Sequence, residues 1–238
     1  MPNLCIDIGN SRIKSALFEG EDLLVESTFG SLENAIESWI LMDFDACIVS
    51  SVRYSREVLH VQLPFEHLFL DHQTPTPLKN EYQSQSTLGL DRLAGAVGAW
   101  SRAGGGSVLA IDLGTCITFD WVDGNATYQG GAISPGLRLR AESMHSLTAN
   151  LPLVALDAPV TFRVGKTTVD CMKTGIWQGI VYEVMGQIDS YRQEFPEIKA
   201  FISGGDSHFF DSLAKDHIFV VPNLVLVGLN CILNHNVE

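Results

Sequence analysis

Two aspartates, about a hundred residues apart, stand in the same local pattern of residue types. Asp7 follows an apolar run and precedes Gly9 by two positions, and Asp112 and Gly114 repeat this arrangement. Because glycine permits a tight reversal between strands, each aspartate is expected at the C-terminal end of a buried strand. Backbone N–H groups in such a turn can face a phosphate, while the carboxylate holds a divalent metal ion or its water. The pair predicts a duplicated nucleotide-binding fold with a cleft between the copies.

Three further groups complete a constellation suited to phosphoryl transfer. That reaction needs neutralised phosphates, an acceptor hydroxyl held in line, and a carboxylate that orients the hydroxyl or takes its proton. Lys14 supplies a cation close to the first turn, and Asp91 supplies a third acid at the start of a helix rich in small residues. Asp91 could equally be a helix-start charge that interacts with the macrodipole. Gly204 and Gly205 end a predicted strand, where they could pass over an adenine and ribose, although such turns also occur without a ligand.

Other catalytic and binding classes find no support in the chain. There is no G-x-S-x-G elbow, no Walker-A motif and no Rossmann fingerprint. The seven histidines show no metal-ligand spacing, and the five cysteines, with no C-x-x-C pair, indicate reduced thiols. A net charge of −13 disfavours nucleic acid and anionic membranes as partners. No signal pattern or membrane-length apolar run is present, so a soluble, cytoplasmic protein is expected.

The elements that position these residues form a pattern that occurs twice. In the first half we predict strands at residues 4–8, 13–18 and 23–28, a helix at 31–41 with Ser31 as its N-cap, a strand at 46–51, a helix at 56–62 and a strand near 67–70. This β-β-β-α-β-α-β order is typical of a ribonuclease H-like lobe. A polar loop at 71–86, a helix at 88–100 and a glycine run at 103–107 follow.

The second half repeats the three-stranded meander. We predict strands at 108–112, 116–122, 126–130 and 200–203, and helices at 137–148, 168–191 and 224–234. Gly130 and Gly131 lead into a Pro-Gly corner, which permits close approach of a ligand or is a tight structural corner. The expected fold class is therefore α/β, with two ribonuclease H-like lobes, 1–106 and 107–238, and the active-site cleft between them.

Four motifs, taken in order, resemble those of the type III pantothenate kinases. They are D-I-G-N with a following lysine at 7–14, G-L-D-R at 89–92, D-L-G-T at 112–115 and G-G-A-I-S-P-G at 130–136. The turns alone are shared across the superfamily that includes acetate kinase, sugar kinases and actin. The combination of G-x-D-R with G-G-x-I-x-P-G is what narrows the resemblance to this family, and the similarity runs essentially end to end.

The resemblance implies ATP-dependent phosphorylation of pantothenate, the first step of coenzyme A biosynthesis, by a homodimer. It implies that Asp7 and Asp112 hold Mg²⁺ around the ATP phosphates and that Asp91 is the general base. It also implies a monovalent cation, K⁺ or NH₄⁺, at Asp120, which could instead be an ordinary strand residue. The other implied site residues are Gly9, Asn10, Lys14, Gly114, Thr115, Gly204 and Gly205 for ATP, and Tyr82, Gly89, Asp91, Arg92 and, across the dimer, Thr168 for pantothenate.

The chain departs from the family pattern at two places, and two other functions remain open. Residues 83–86 read Q-S-Q-S where the family usually has Asn-Pro, and Ser203 stands where the family often has threonine. One rival function is a kinase or phosphatase of the same superfamily with another acceptor, which the G-x-D-R element disfavours. The other is a non-catalytic regulatory or accessory protein that has kept the fold. The intact set of acids disfavours this second rival.

Overall fold

The computed structural model describes residues 2–237 as an α/β protein with two mixed sheets. The first half of the chain contains, in order, β1 (Pro2–Ile8), β2 (Ile13–Glu19), β3 (Asp22–Phe29), α1 (Leu32–Trp39), β4 (Ala46–Ser51), α2 (Arg56–Gln62), β5 (Leu68–Phe69), β6 (Lys79–Asn80) and α3 (Leu90–Ala103). The second half contains β7 (Val108–Leu113), β8 (Cys116–Val122), β9 (Thr127–Pro135), α4 (Leu137–Ser146), α5 (Thr168–Glu194), β10 (Lys199–Ser203), β11 (Ile218–Val220) and α6 (Leu224–Val237). The predicted β-β-β-α-β-α-β order of the first half is confirmed.

The two sheets have the same strand order, which reveals the duplication directly. The first sheet runs β3-β2-β1-β4-β5, and the second runs β9-β8-β7-β10-β11, with β6 added beside β9. In both sheets the first strand pairs antiparallel with the second and parallel with the fourth. β1 and β7 are therefore equivalent central strands, and the aspartate near the end of each occupies the same place in its own sheet.

Four short elements were not predicted from the sequence. They are β6, β11 and two 3₁₀ helices at Gln85–Thr87 and Ser207–Leu213. Segments of two to seven residues carry too little periodicity to be recognised, because their conformation depends on the neighbouring strand or helix. Conversely, β9 continues beyond the predicted residue 130 to Pro135.

Two helices lie between the sheets, and each packs on the sheet formed by the other half of the chain. Although α3 precedes the glycine run, it packs on β7 and β8, whereas α6 at the end of the chain packs on β1 and β4. The helices cross where Gly98 meets Gly228, since a Cβ at Gly98 would lie 2.2 Å from the carbonyl oxygen of Leu224. Only glycine allows backbones this close, so the crossing fixes how the two sheets face each other.

Helix caps support two of the predicted boundaries. Ser31 caps α1 as predicted, its Oγ accepting a hydrogen bond from the N–H of Asn34 at 3.3 Å. Thr167 caps α5 in the same way through the N–H of Asp170. None of the helices in residues 2–237 combines the length and apolar character that crossing a bilayer requires.

The glycine-rich corner after β8 is a product of backbone packing. A Cβ at Gly131 would lie 1.6 Å from the carbonyl oxygen of Phe119, and one at Gly136 would lie 2.1 Å from that of Gly114. Gly130 has a φ of +96° and lies under the ring of Tyr82. The sequence left two interpretations of these glycines open, close approach of a ligand or a tight structural corner. The geometry at Gly131 and Gly136 supports the structural corner.

Candidate active site

A cleft with a volume of about 160 Å³ lies where the two sheets face each other. Its lining brings together residues from both halves of the chain that the sequence had singled out separately: Asp7, Lys14, Asp91, Arg92, Asp112, Asp120, Gly204 and Gly205. Register explains part of this arrangement, because Asp7 pairs directly with Lys14 across the β1–β2 hairpin. In the second sheet the residue that pairs with Asp112 is Thr118. Both hairpins therefore contain the aspartate, but only the first places a lysine opposite it.

The two glycine turns use the glycine N–H groups for their own closure. The N–H of Gly9 donates to the carbonyl of Arg12 at 3.1 Å, and that of Gly114 donates to Cys116 at 3.0 Å. These amides are therefore already satisfied within the hairpins. Asn10 and Thr115 are exposed at the tips of the turns and do not line the enclosed part of the cleft. Phosphate contacts from these tips stay a prediction.

The carboxyl groups of Asp7 and Asp112 are electrostatically unusual. Burial, and then the negative charge of Asp91, raise the pKa of Asp7 to about 7, against a partial opposing effect of Lys14. Burial and the charge of Asp91 likewise raise the pKa of Asp112 to about 6. Raised carboxyl pKa values mark a site with an excess of buried negative charge, which is the environment that a bound cation relieves.

The donor set of the cleft fits Mg²⁺. Magnesium prefers oxygen ligands and commonly binds through one or two carboxylates together with substrate phosphates. Asp7 and Asp112 provide two such carboxylates in one cleft. Within residues 2–237 there is no group of three or more His, Cys, Asp or Glu side chains placed to hold a metal ion by themselves. Two carboxylates in an open cleft match an ion that shares its ligands with a substrate phosphate.

Asp91 is presented to the cleft by the start of α3. Gly89 is the N-cap residue of this helix, and Asp91 lies exposed in the first turn. One carboxylate oxygen of Asp91 accepts the N–H of Arg92 at 2.9 Å, and a Cβ at Gly89 would lie 2.5 Å from that oxygen. Gly89 thus makes room for the carboxylate, which explains why a glycine two residues before the aspartate matters to the site.

Arg92 and Asp120 form a buried ion pair beside Asp91. Arg92 Nε and Nη2 donate to Asp120 Oδ1 at 3.0 and 2.7 Å, and the hydroxyl of Tyr128 donates to the same oxygen at 2.7 Å. Burial raises the pKa of Asp120, although hydrogen bonds and the charge of Arg92 oppose this. The guanidinium also lies 5.8 Å from the ring centroid of Tyr82. Tyr82, Arg92 and Asp120 therefore form one network, which sequence spacing could not reveal.

Gly204 and Gly205 line the cleft at the end of β10. Gly204 has a φ of +100°, and a Cβ there would lie 2.4 Å from the carbonyl oxygen of Leu113. The first glycine is needed for packing against the second hairpin, whereas Gly205 faces open space. Access for a nucleotide base stays a prediction for this pair.

One predicted residue lies outside the cleft, and three residues that line the cleft were not in the predicted site. Thr168 begins α5 on the outer side of the second sheet and does not line the cleft of its own chain. The cleft is also lined by Thr118, Ser203 and Asn223, of which Ser203 had been noted only as a departure from the family pattern. Asn223 could have been suspected, because an asparagine after a proline and before an apolar run is a turn and capping signal.

Comparison with solved structures supports the fold. A crystal structure titled as a conserved putative Baf family transcriptional activator from Campylobacter jejuni is 23% identical, with a TM-score of 0.62 over 98% of both chains. A ROK hexokinase from Thermus thermophilus is 12% identical, with a TM-score of 0.55 over the whole of both chains. At these identities the likeness establishes the ribonuclease H-like sugar kinase fold, as the sequence predicted, and nothing about activity.

Sequence comparisons are more specific. A family model described as type III pantothenate kinase matches residues 3–190. A type III pantothenate kinase from Flavobacterium johnsoniae is 40% identical over 234 residues, covering 95% of each chain. One from Bacteroides fragilis is 40% identical over 239 residues, covering 98% of each chain. Similarity of this extent carries the fold and the motifs together, and the chain belongs to the type III pantothenate kinase family.

Proposed function

We propose that this enzyme transfers the γ-phosphoryl group of ATP to the primary hydroxyl of pantothenate, giving 4′-phosphopantothenate in the first step of coenzyme A biosynthesis. The observation that carries the proposal is the convergence of Asp7, Asp91 and Asp112 in one cleft between duplicated sheets. Two of these acids carry the raised pKa values of a cation site, and the third is exposed to the cleft. This separation of roles matches a phosphotransferase with an alcohol acceptor.

In this mechanism the protein mainly positions charges. Asp7 and Asp112 hold Mg²⁺, which neutralises the ATP phosphates when it is bound. Lys14 offers its ammonium group to the same phosphates from the opposite strand of the first hairpin. Asp91 accepts the proton of the pantothenate hydroxyl as the oxygen attacks phosphorus. Because the transition state is largely dissociative, the alignment of this carboxylate matters more than its basicity.

The pantothenate end of the site is assigned to Arg92 and Tyr82. Arg92 donates through Nε and Nη2 to Asp120, so the N–H groups of Nη1 remain to donate to the carboxylate of pantothenate. The carboxylate of Asp120 and the ring of Tyr82 fix the guanidinium in one orientation. Binding therefore requires no further ordering of the arginine, which favours affinity.

A monovalent cation, K⁺ or NH₄⁺, is part of the proposal, with Asp120 as its ligand. Asp120 Oδ1 already accepts three hydrogen bonds, so only Oδ2 can serve the ion.

We also propose a cytoplasmic homodimer in which Thr168 reaches the partner's cleft. The start of α5 supports this, since Val164 and Val169 near Thr168 are 73% and 40% exposed and would gain from burial.

A coupled ADP-release assay with ATP, Mg²⁺ and pantothenate tests the reaction. It is run once in K⁺ and once in Na⁺ alone, with glucose as the control acceptor and Asp91→Asn as the control enzyme. We expect turnover that requires pantothenate and is faster in K⁺. Turnover with glucose in place of pantothenate, or none from a folded enzyme in either salt, would reject the proposed acceptor.

A further inference from the structure

Asn223 connects the second sheet to the helix that packs on the first sheet, and it does so in a constrained conformation. It lies between β11 and α6, with a φ of +59°, one of four non-glycine residues in residues 2–237 with positive φ. Asparagine tolerates this left-handed region better than most residues, but glycine adopts it more easily still. The presence of an asparagine side chain at this position therefore calls for a reason other than backbone geometry.

The side chain makes one contact that accounts for this choice. Asn223 Oδ1 accepts a hydrogen bond from Lys14 Nζ at 3.2 Å, and both residues line the cleft. Lys14 belongs to β2 of the first sheet, 209 positions away in sequence. A lysine ammonium on a four-carbon stem is mobile unless a fixed acceptor holds it. A neutral amide can do so without adding to the negative charge of the cleft.

The surrounding hydrogen bonds hold the backbone at Asn223 in place. Its carbonyl accepts the N–H of Val227 at 3.2 Å, which begins α6. The next N–H, of Leu224, donates to the buried hydroxyl of Ser203 at 3.2 Å. Val221, two residues earlier, still pairs with the carbonyl of Ile202. The backbone of the turn is thus tied on both sides, so the point from which the Asn223 side chain extends into the cleft is fixed.

We propose that Asn223 is a positioning residue that holds the ammonium of Lys14 toward the phosphates of the nucleotide. The alternative partner of Lys14 is the carboxylate of Asp7, which faces it across the hairpin. Without the Asn223 amide, the ammonium group of Lys14 would form an ion pair with the carboxylate of Asp7 and so compete with Mg²⁺ for that carboxylate. The inference rests on the proposed function only in taking Lys14 as a phosphate ligand.

The test compares two substitutions that remove the same amide but differ in backbone strain. Asn223→Gly keeps the left-handed conformation, whereas Asn223→Ala strains it. We expect both variants to bind MgADP about tenfold more weakly, equivalent to about 1.4 kcal/mol, while only Asn223→Ala loses melting temperature. In a Lys14→Met background, Asn223→Gly should cost nothing further, because the residue it positions is gone.

Titration calorimetry with MgADP is the primary measurement, and kcat/KM for ATP is the second. Unchanged MgADP affinity in Asn223→Gly would overturn the proposal, and so would the same loss in the Lys14→Met background. These readouts do not require a particular acceptor. If the wild-type enzyme binds MgADP but does not phosphorylate pantothenate, the proposed acceptor fails, and the binding comparison still decides the role of Asn223.

Discussion

Arg92 and Asp120 are joined by two hydrogen bonds to a single carboxylate oxygen, Oδ1, in a setting where both side chains are almost fully buried. The hydroxyl of Tyr128 donates to the same oxygen. A buried charge pair adds little when intact, but removing one partner leaves the other charge uncompensated. Asp120 therefore compensates the buried charge of Arg92, a structural role that is distinct from its proposed role as a cation ligand. Experiments can separate the two roles.

Asp120→Asn should lower the free energy of unfolding by about 3–5 kcal/mol in K⁺ and in Na⁺ alike, because it leaves Arg92 buried without its counter-charge. If a cation also binds here, the wild-type melting temperature and kcat will be higher in K⁺, and the variant will lose that difference. Tyr128→Phe is the matched control, which should cost about 1 kcal/mol and keep the K⁺ response. An undiminished K⁺ response in Asp120→Asn would place the cation elsewhere.

Asp91→Asn should reduce kcat by about 100-fold or more, because general-base catalysis of this kind contributes about 10²–10⁴-fold. Melting temperature and MgADP affinity should stay close to wild type, since the side chain is exposed and the amide oxygen of asparagine can still accept the N–H of Arg92. Rapid-quench or coupled assays measure kcat, and calorimetry measures the binding. The exposed residue Asp22 at the start of β3 provides a control in Asp22→Asn, which should leave kcat unchanged. Appreciable activity in Asp91→Asn would remove this residue as the base.

Asp112→Asn should stabilise the nucleotide-free protein at pH 8 and leave it unchanged near pH 4. The folded-state pKa of about 6 exceeds the ordinary value of 3.8, so the protonated form is favoured on folding. That contribution is full below pH 3.8 and is lost as the pH rises through about 6. Removing the charge should recover on the order of 2–3 kcal/mol at pH 8, while abolishing turnover. Urea unfolding at both pH values measures the change, and equal effects at pH 4 and pH 8 would contradict it.

Mixing two inactive variants tests whether Thr168 acts across a dimer. If Thr168 of one subunit serves the cleft of the other, Asp91→Asn and Thr168→Ala subunits will form mixed dimers with one intact site. After subunit exchange, activity should recover to about a quarter of wild type, as random pairing in a twofold dimer predicts. Light scattering establishes the dimer first. Activity that merely equals the average of the two unmixed variants would mean that each site uses its own Thr168.

Gly228→Ala should destabilise the protein by several kcal/mol, because its Cβ would lie 1.8 Å from the carbonyl oxygen of Ala94. The matched control is Gly186→Ala in α5, where nothing lies within 4 Å of the added atom. That substitution should stabilise the protein by about 1 kcal/mol, the difference in helix propensity. Thermal unfolding measures both. Similar stability in the two variants would mean that α3 and α6 do not need to cross this closely.

Sequence patterns predicted the repeated elements well because each carries its own signal. Alternating and continuous apolar runs identified the long strands, and Ser31 identified the start of α1. The acids of the site could be recognised for the same reason, since a strand that ends in aspartate and glycine is a local pattern. The placement of α3 and α6 could not be predicted in this way. It depends on contacts between halves, of which the closeness of Gly98 and Gly228 is the clearest case.

The element order of the first lobe, the family and the acids expected to act could all be predicted from the amino-acid sequence, because they depend on neighbours along the chain. The surroundings of each acid, in contrast, follow from how distant segments pack together. Burial and mutual repulsion set the pKa values of Asp7 and Asp112. Packing between the sheets pairs Arg92 with Asp120, which is 28 positions away in sequence. It also places Asn223 beside Lys14, which is 209 positions away. Such pairings follow from chain crossing and desolvation, which no local pattern of residue types encodes.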